Sequence, residues 1–281
     1  MNQSNNPLRE TLWFFVLTLG LVFLIFWGPL ALFGIPGASL TGVSGPTWAV
    51  LLFVLGGFTP SIVALIMTWR IDGVEGLRSM IKRLNPRTVN LKWHLAILLV
   101  IGLATVAQII IIRLLWYSFD ISLFLTRIVY LLPLLILGPL SEELGWRGYA
   151  LGRLQTRWNA LVSSLVVGFF WGLWHLPLFY IPGTSQNLYA MSFLGFLVGL
   201  LAMSILYTWA FNNTRASIWS AVFFHWIFTY ALDTMSAGIA PPPAMYQLLQ
   251  YLPYIIIAIV VLVIWGPRTL TRRKPSKEEY A

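Results

Sequence analysis

The chain has 281 residues, 58% of them hydrophobic and 10% charged, with a formal net charge of +9 and no cysteine. A soluble domain carries about 25% charged residues, so this composition excludes a soluble globular fold. The lack of cysteine excludes disulfides, zinc–thiolate sites and thiol nucleophiles, leaving oxygen and nitrogen side chains for any chemistry.

Apolar windows of about 19 residues predict an all-α, polytopic membrane protein of about eight transmembrane helices, each able to cross a hydrocarbon core of about 30 Å. The first, near 11–34, exceeds the apolar run of about 7–15 residues in a secretory signal, and no convincing small-residue cleavage site follows, so it reads as a retained helix. The second lies near 48–69. Between Arg70 and Lys92, the residues Val74, Leu77, Met80, Ile81 and Leu84 offer an apolar side opposite Arg78, Lys82 and Arg83. That pattern suits an interfacial amphipathic helix and, equally, a solvated connector. The third helix, near 93–117, opens beside His94, which reads as interfacial decoration. The others fall near 122–140, 158–180, 189–210, 217–235 and 251–267, and the charged tail after Trp265 is expected to be mobile. The whole, 1–281, reads as a single transmembrane domain with its motif-bearing core at about 122–235.

The basic residues sort by loop. Arg70 to Lys92, then Arg147, Arg153 and Arg157, then Arg215, then the tail from Arg268 to Lys277 fall on one side, whereas the loops near 35–47, 118–121, 181–188 and 236–250 contain no Lys or Arg. Arg113 and Arg127 lie near helix ends from which long side chains snorkel. This is the positive-inside asymmetry, with both termini cytoplasmic, and it accounts for the charge without nucleic acid. The chain shows no repeat of the kind that builds inverted transporter halves. Its short loops suggest a stand-alone protein of a bacterial or archaeal plasma membrane.

Ionisable groups at membrane depth are costly and mark candidate functional sites. Ser141-Glu142-Glu143-Leu144-Gly145-Trp146-Arg147 follows Gly138 and Pro139 at the expected end of the fourth helix. Glu143 and Arg147 are i and i+4 and can pair on one face, while Glu142 lies about 100° round the helix and can face a cavity. The bland alternative is a charge cluster at the lipid interface. His175 ends the fifth helix, on the broad side that carries Gly168 and Gly172, a small-residue face suited to close packing. A lone buried histidine is more often a hydrogen-bonded helix contact than a catalyst. His225 and Thr229 are again i and i+4, although a membrane threonine usually bonds back to its own helix. Counting residues does not put the three ionisable groups at one depth, so tilt or an extended fifth helix has to close the gap.

Glu142-Glu143-x-x-x-Arg147, an aromatic four residues before His175, and His225-x-x-x-Thr229 together resemble the three motifs of the CPBP family, the type II CAAX prenyl proteases and bacteriocin-processing enzymes. The resemblance runs from about Pro139 to Thr229. Trp171 stands where the family usually has Phe, and Thr229 where it usually has Asn. The resemblance implies an intramembrane endopeptidase that hydrolyses a peptide bond in a membrane-associated or lipidated peptide. Glu142 would deprotonate water with help from His175, His225 and Thr229 would stabilise the oxyanion, and Glu143, Arg147 and Trp171 would support them. Glu142, His175 and His225 could also supply the three ligands of an open catalytic zinc site. The His-Glu-x-x-His helix of many zinc peptidases is absent, and a metal-independent glutamate mechanism ranks first. The rivals are a catalytically silent immunity or scaffold protein that binds a peptide in the same cavity, and a proton-coupled transporter. The expected partners are the lipid bilayer and a membrane-associated peptide or protein.

Overall fold

The computed structural model describes residues 6–37, 45–114, 122, 136–237 and 244–273, with side chains excepted over 233–249. Among the described residues the chain is helical and has no strand. Helix α1 (Pro7–Leu32) contains one π-helical stretch, Val22–Phe26. Its start follows from Asn6, whose side chain accepts from the Arg9 N–H at 3.1 Å, and from Pro7, whose missing N–H costs nothing in a first turn. Helix α2 (Thr47–Lys82) runs past the expected end of the second span and changes direction at Gly73, where φ is 67°. The stretch beyond it is helical rather than a connector, with Met80 buried and Val74 and Ile81 exposed.

Helix α3 is Leu91–Leu114. Helix α4 starts as Leu137–Glu143, widens to a π-helix over Leu144–Leu151 and closes with Gly152–Gln155. Helix α5 (Ala160–His175) tightens to a 3-10 turn at Leu176–Phe179. There follow α6 (Ser185–Leu188), α7 (Phe193–Asn213), α8 (Ile218–Ala237) and α9 (Ala244–Trp265). Among the described residues, Pro7–Leu32, Thr47–Lys82, Leu91–Leu114, Ala160–Phe179 and Phe193–Asn213 are long and apolar enough to cross a membrane, and Ile218–Leu232 and Gln250–Trp265 are shorter apolar helices. The architecture is the all-α, polytopic one expected. Most of the expected fourth span, with Arg127, lies outside the described residues.

Helix α7 sits at the centre: 67% of its most apolar window is buried, against 28% for α1 and α3, and it packs on α5, α8 and α9. Gly168 and Gly172 allow the approach of α5, since a Cβ at either would meet Ser204 at 2.9 Å or Leu197 at 2.4 Å, both on α7. On the other side α2 packs against α1 and α4. Pro60 lacks the N–H that would bond the Gly56 carbonyl, and the Thr59 hydroxyl donates to that carbonyl instead, at 2.8 Å. Ser61 donates to the Leu140 carbonyl at 3.0 Å, tying α2 to α4 just before the latter widens.

The segment after Trp265 is pinned as far as Arg273, against the expectation of a mobile tail. Asn212 and Asn213 donate to the Thr269 and Leu270 carbonyls at 2.7 and 2.8 Å, and the Arg268 carbonyl accepts from Ala160 N–H at 2.8 Å. Composition registers the tail's charges but not these amide donors at the end of α7.

Candidate active site

The π-helical widening of α4 decides where the acidic motif sits. Gly145 lies against Pro60 of α2, so closely that a Cβ would fall 2.5 Å from the Pro60 carbonyl oxygen. The helix therefore continues through the motif inside the protein, and the expected helix end near residue 140 is corrected. Glu142 is 8% exposed, and Glu143 and Arg147 are fully buried. Gly145→Ala would improve helix propensity yet force two backbones apart. We expect a net loss of about 1–3 kcal/mol, read as earlier thermal unfolding in detergent; unchanged unfolding would show that α2 and α4 do not meet at Gly145.

A buried pair of adjacent carboxylates needs compensation. Arg147 Nη1 donates to Glu143 Oε1 at 3.0 Å, as the i, i+4 spacing anticipated. Its guanidinium is held between the rings of Trp171 and Tyr207, at 4.8 and 4.7 Å from their centroids, and Nη2 donates to Ser204 Oγ at 3.3 Å. Ser204 in turn donates to the Ser164 carbonyl at 2.7 Å, so α4, α5 and α7 share one polar thread.

The histidines come from α5 and α8. His175 Nδ1 lies 2.8 Å from the Trp171 carbonyl, and His225 Nδ1 lies 2.9 Å from Glu143 Oε1. A carbonyl or carboxylate oxygen only accepts, so both Nδ1 atoms carry protons and, in the neutral rings, both Nε2 atoms carry lone pairs. The N-terminal end of α8 is fixed from α2, because Arg83 Nε donates to the Ala216 carbonyl at 2.9 Å and Trp219 N–H donates to the Arg83 carbonyl at 3.1 Å. Thr229 lies one turn beyond His225, half-buried. Glu142 Oε2 accepts from the Trp171 indole N–H at 2.6 Å.

A family model described as type II CAAX prenyl endopeptidase Rce1-like matches residues 123–231, the stretch that carries Glu142, Glu143, Arg147, Trp171, His175, His225 and Thr229. Over 204 residues the chain is 32% identical to CAAX prenyl protease 2 of Methanococcus maripaludis, an alignment spanning 68% of this chain and 75% of that relative. The chain belongs to the type II CAAX prenyl endopeptidase family. It is accordingly an integral membrane protease.

Within this type II CAAX endopeptidase, Glu143, Arg147 and His225 form one hydrogen-bonded unit, and Glu142 and His175 both bond to Trp171. His94 stands apart, its Nε2 accepting from Trp219 at 3.0 Å. Sequence reasoning missed Ser204 and Tyr207, although the polar side chains Ser204, Tyr207 and Thr208 within an apolar span were the signal to look for. His175 and His225 each have Nδ1–H tied to an acceptor, as the outer hydrogen bonds of metal-binding imidazoles commonly are. Even so, among the described residues no three His, Asp or Glu side chains gather closely enough to hold an ion. Glu142, His175 and His225 therefore do not form a preformed zinc site.

Proposed function

We propose that the chain hydrolyses a peptide bond in a membrane-associated or lipidated peptide with Glu142 as the base that activates water. The observation that carries this reading is the division of labour between the paired acids. Glu143 is fully buried and gives one oxygen, Oε1, to both Arg147 and His225, whereas Glu142 gives one oxygen to Trp171, keeps the other uncommitted among the described residues and is 8% exposed.

Glu142 takes a proton from water, and the hydroxide adds to the scissile carbonyl carbon. His175 offers its Nε2 lone pair to orient that water. The oxyanion needs donors. His225 serves as an imidazolium, donating from Nε2 with Glu143 as counter-ion, and the Thr229 hydroxyl supplies a second donor from the same face of α8. The proton held on Glu142 then passes to the leaving amine as the C–N bond breaks. This scheme requires no metal. The same reading puts both termini in the cytoplasm of a prokaryotic cell, following the basic loops.

The test is cleavage of a panel of membrane-tethered peptides, lipidated and unlipidated, by purified protein in liposomes, wild type beside His175→Ala. Wild-type cleavage that survives chelator dialysis, with no stoichiometric metal in the active protein, is the expected result. Equal cleavage by the variant would remove the basis of the assignment, and loss on chelation restored by zinc would replace the mechanism.

A further inference from the structure

The two groups assigned to water activation have no direct bond to each other; they share a neighbour. Trp171 bonds to both, by different parts of one residue. Its main-chain carbonyl takes the proton of His175 Nδ1 at 2.8 Å, and its indole N–H reaches Glu142 Oε2 at 2.6 Å. A phenyl ring at this position has no donor and could not make the second bond.

The indole is itself held on several sides. It is 1% exposed. Arg147 lies 4.8 Å from its centroid, and the rings of His225 and His175 meet it edge-on at 5.3 and 5.8 Å. Tyr207 packs beside it at 5.7 Å. A side chain so enclosed has no other rotamer to visit, so its N–H direction is fixed before any substrate arrives.

We infer that Trp171 is a positioning residue for the proposed hydrolysis: its indole N–H clamps one oxygen of Glu142, so that the other faces the water while the same residue's carbonyl fixes the tautomer of His175. This rests on the reading of Glu142 as the water-activating base. The clamp limits rotation of a carboxylate whose torsion is otherwise broad, and the shared residue keeps acid and imidazole in register. Trp171 touches neither water nor substrate in this scheme and acts through Glu142.

Two measurements separate the clamp from the reaction. The first is the indole 15N–1H spectrum of the full chain in detergent micelles, where 14 tryptophans contribute and Trp171 is assigned by its loss in Trp171→Phe. A downfield Trp171 N–H that moves upfield in Glu142→Gln is expected. A resonance that ignores Glu142→Gln would overturn the clamp, whether or not the protein cleaves anything. The second replaces Trp171 by 3-benzothienylalanine, which keeps the bicyclic shape and puts sulfur in place of N–H. Loss of one charge-assisted donor should lower kcat by about tenfold or more, with KM and thermal unfolding unchanged. Wild-type kcat in that variant would reduce Trp171 to a packing wall, because a merely structural role survives an isosteric ring. A normal spectral response in a wild-type protein that cleaves no peptide would count against the hydrolysis and leave the Glu142 contact standing.

Discussion

Glu142→Ala lowers kcat by about 10²–10⁴-fold, the range for losing a positioned general base, and leaves insertion, yield and unfolding temperature close to wild type. The stability half of this expectation comes from what Glu142 does not do. Its single described hydrogen bond is to Trp171, and it takes no part in the Glu143, Arg147 and His225 unit that joins α4 to α8. Removing it deletes an acid without orphaning a cation. Steady-state cleavage in liposomes beside detergent-phase thermal unfolding measures both halves. A variant that cleaves like wild type would rule out Glu142 as the base, and one that fails to accumulate would mean the carboxylate is structural.

Arg147→Met has the opposite profile. Arg147 and Glu143 are both fully buried, and breaking a buried pair by removing one partner costs about 3–5 kcal/mol where the remaining charge is uncompensated, a cost that His225 on the same Glu143 oxygen offsets only in part. For a protein of ordinary marginal stability, about 5–15 kcal/mol, that is enough to cut folded yield sharply. Adding Glu143→Gln removes the stranded anion, so the double variant should regain much of the lost stability without regaining activity, since His225 then lacks its counter-ion. Unfolding of wild type, both single variants and the double variant forms the cycle that tests this. Additive losses would show that the two residues do not compensate each other.

Much of this arrangement could be read before any coordinates. Apolar windows located α1, α2, α3, α5, α7, α8 and α9 to within a few residues at most ends, because lipid-facing helices cannot disguise their composition. The Glu143–Arg147 pair followed from helical spacing alone. The helix carrying the motif was the difficult case. Its charges resembled the finish of a span, whereas mutual neutralisation lets α4 carry them through the interior. The bond from His225 to Glu143 links residues 82 apart in sequence, and counting rises from assumed helix ends put them at different depths. The motif marks Trp171 only as the aromatic four residues before His175, and nothing in the sequence says which way an indole N–H points. Thr229 was placed beside His225 by spacing, and the structure keeps it on that face of α8, half-buried.

The π-helical stretch Leu144–Leu151 also acts as a spacer of fixed length. A π-bulge accommodates one residue more than the α-helix around it would. Deleting one residue there would let the coil tighten to an α-helix with the downstream phase kept, whereas inserting one more would turn everything downstream by about 100°. Glu142 and Glu143 lie upstream and would keep their places. Arg153, which bonds Glu10 of α1 at 3.2 Å and Asp72 of α2 at 2.7 Å, would swing off both. Glu142 and the clasp joining three helices are thus held in phase by the wide coil between them.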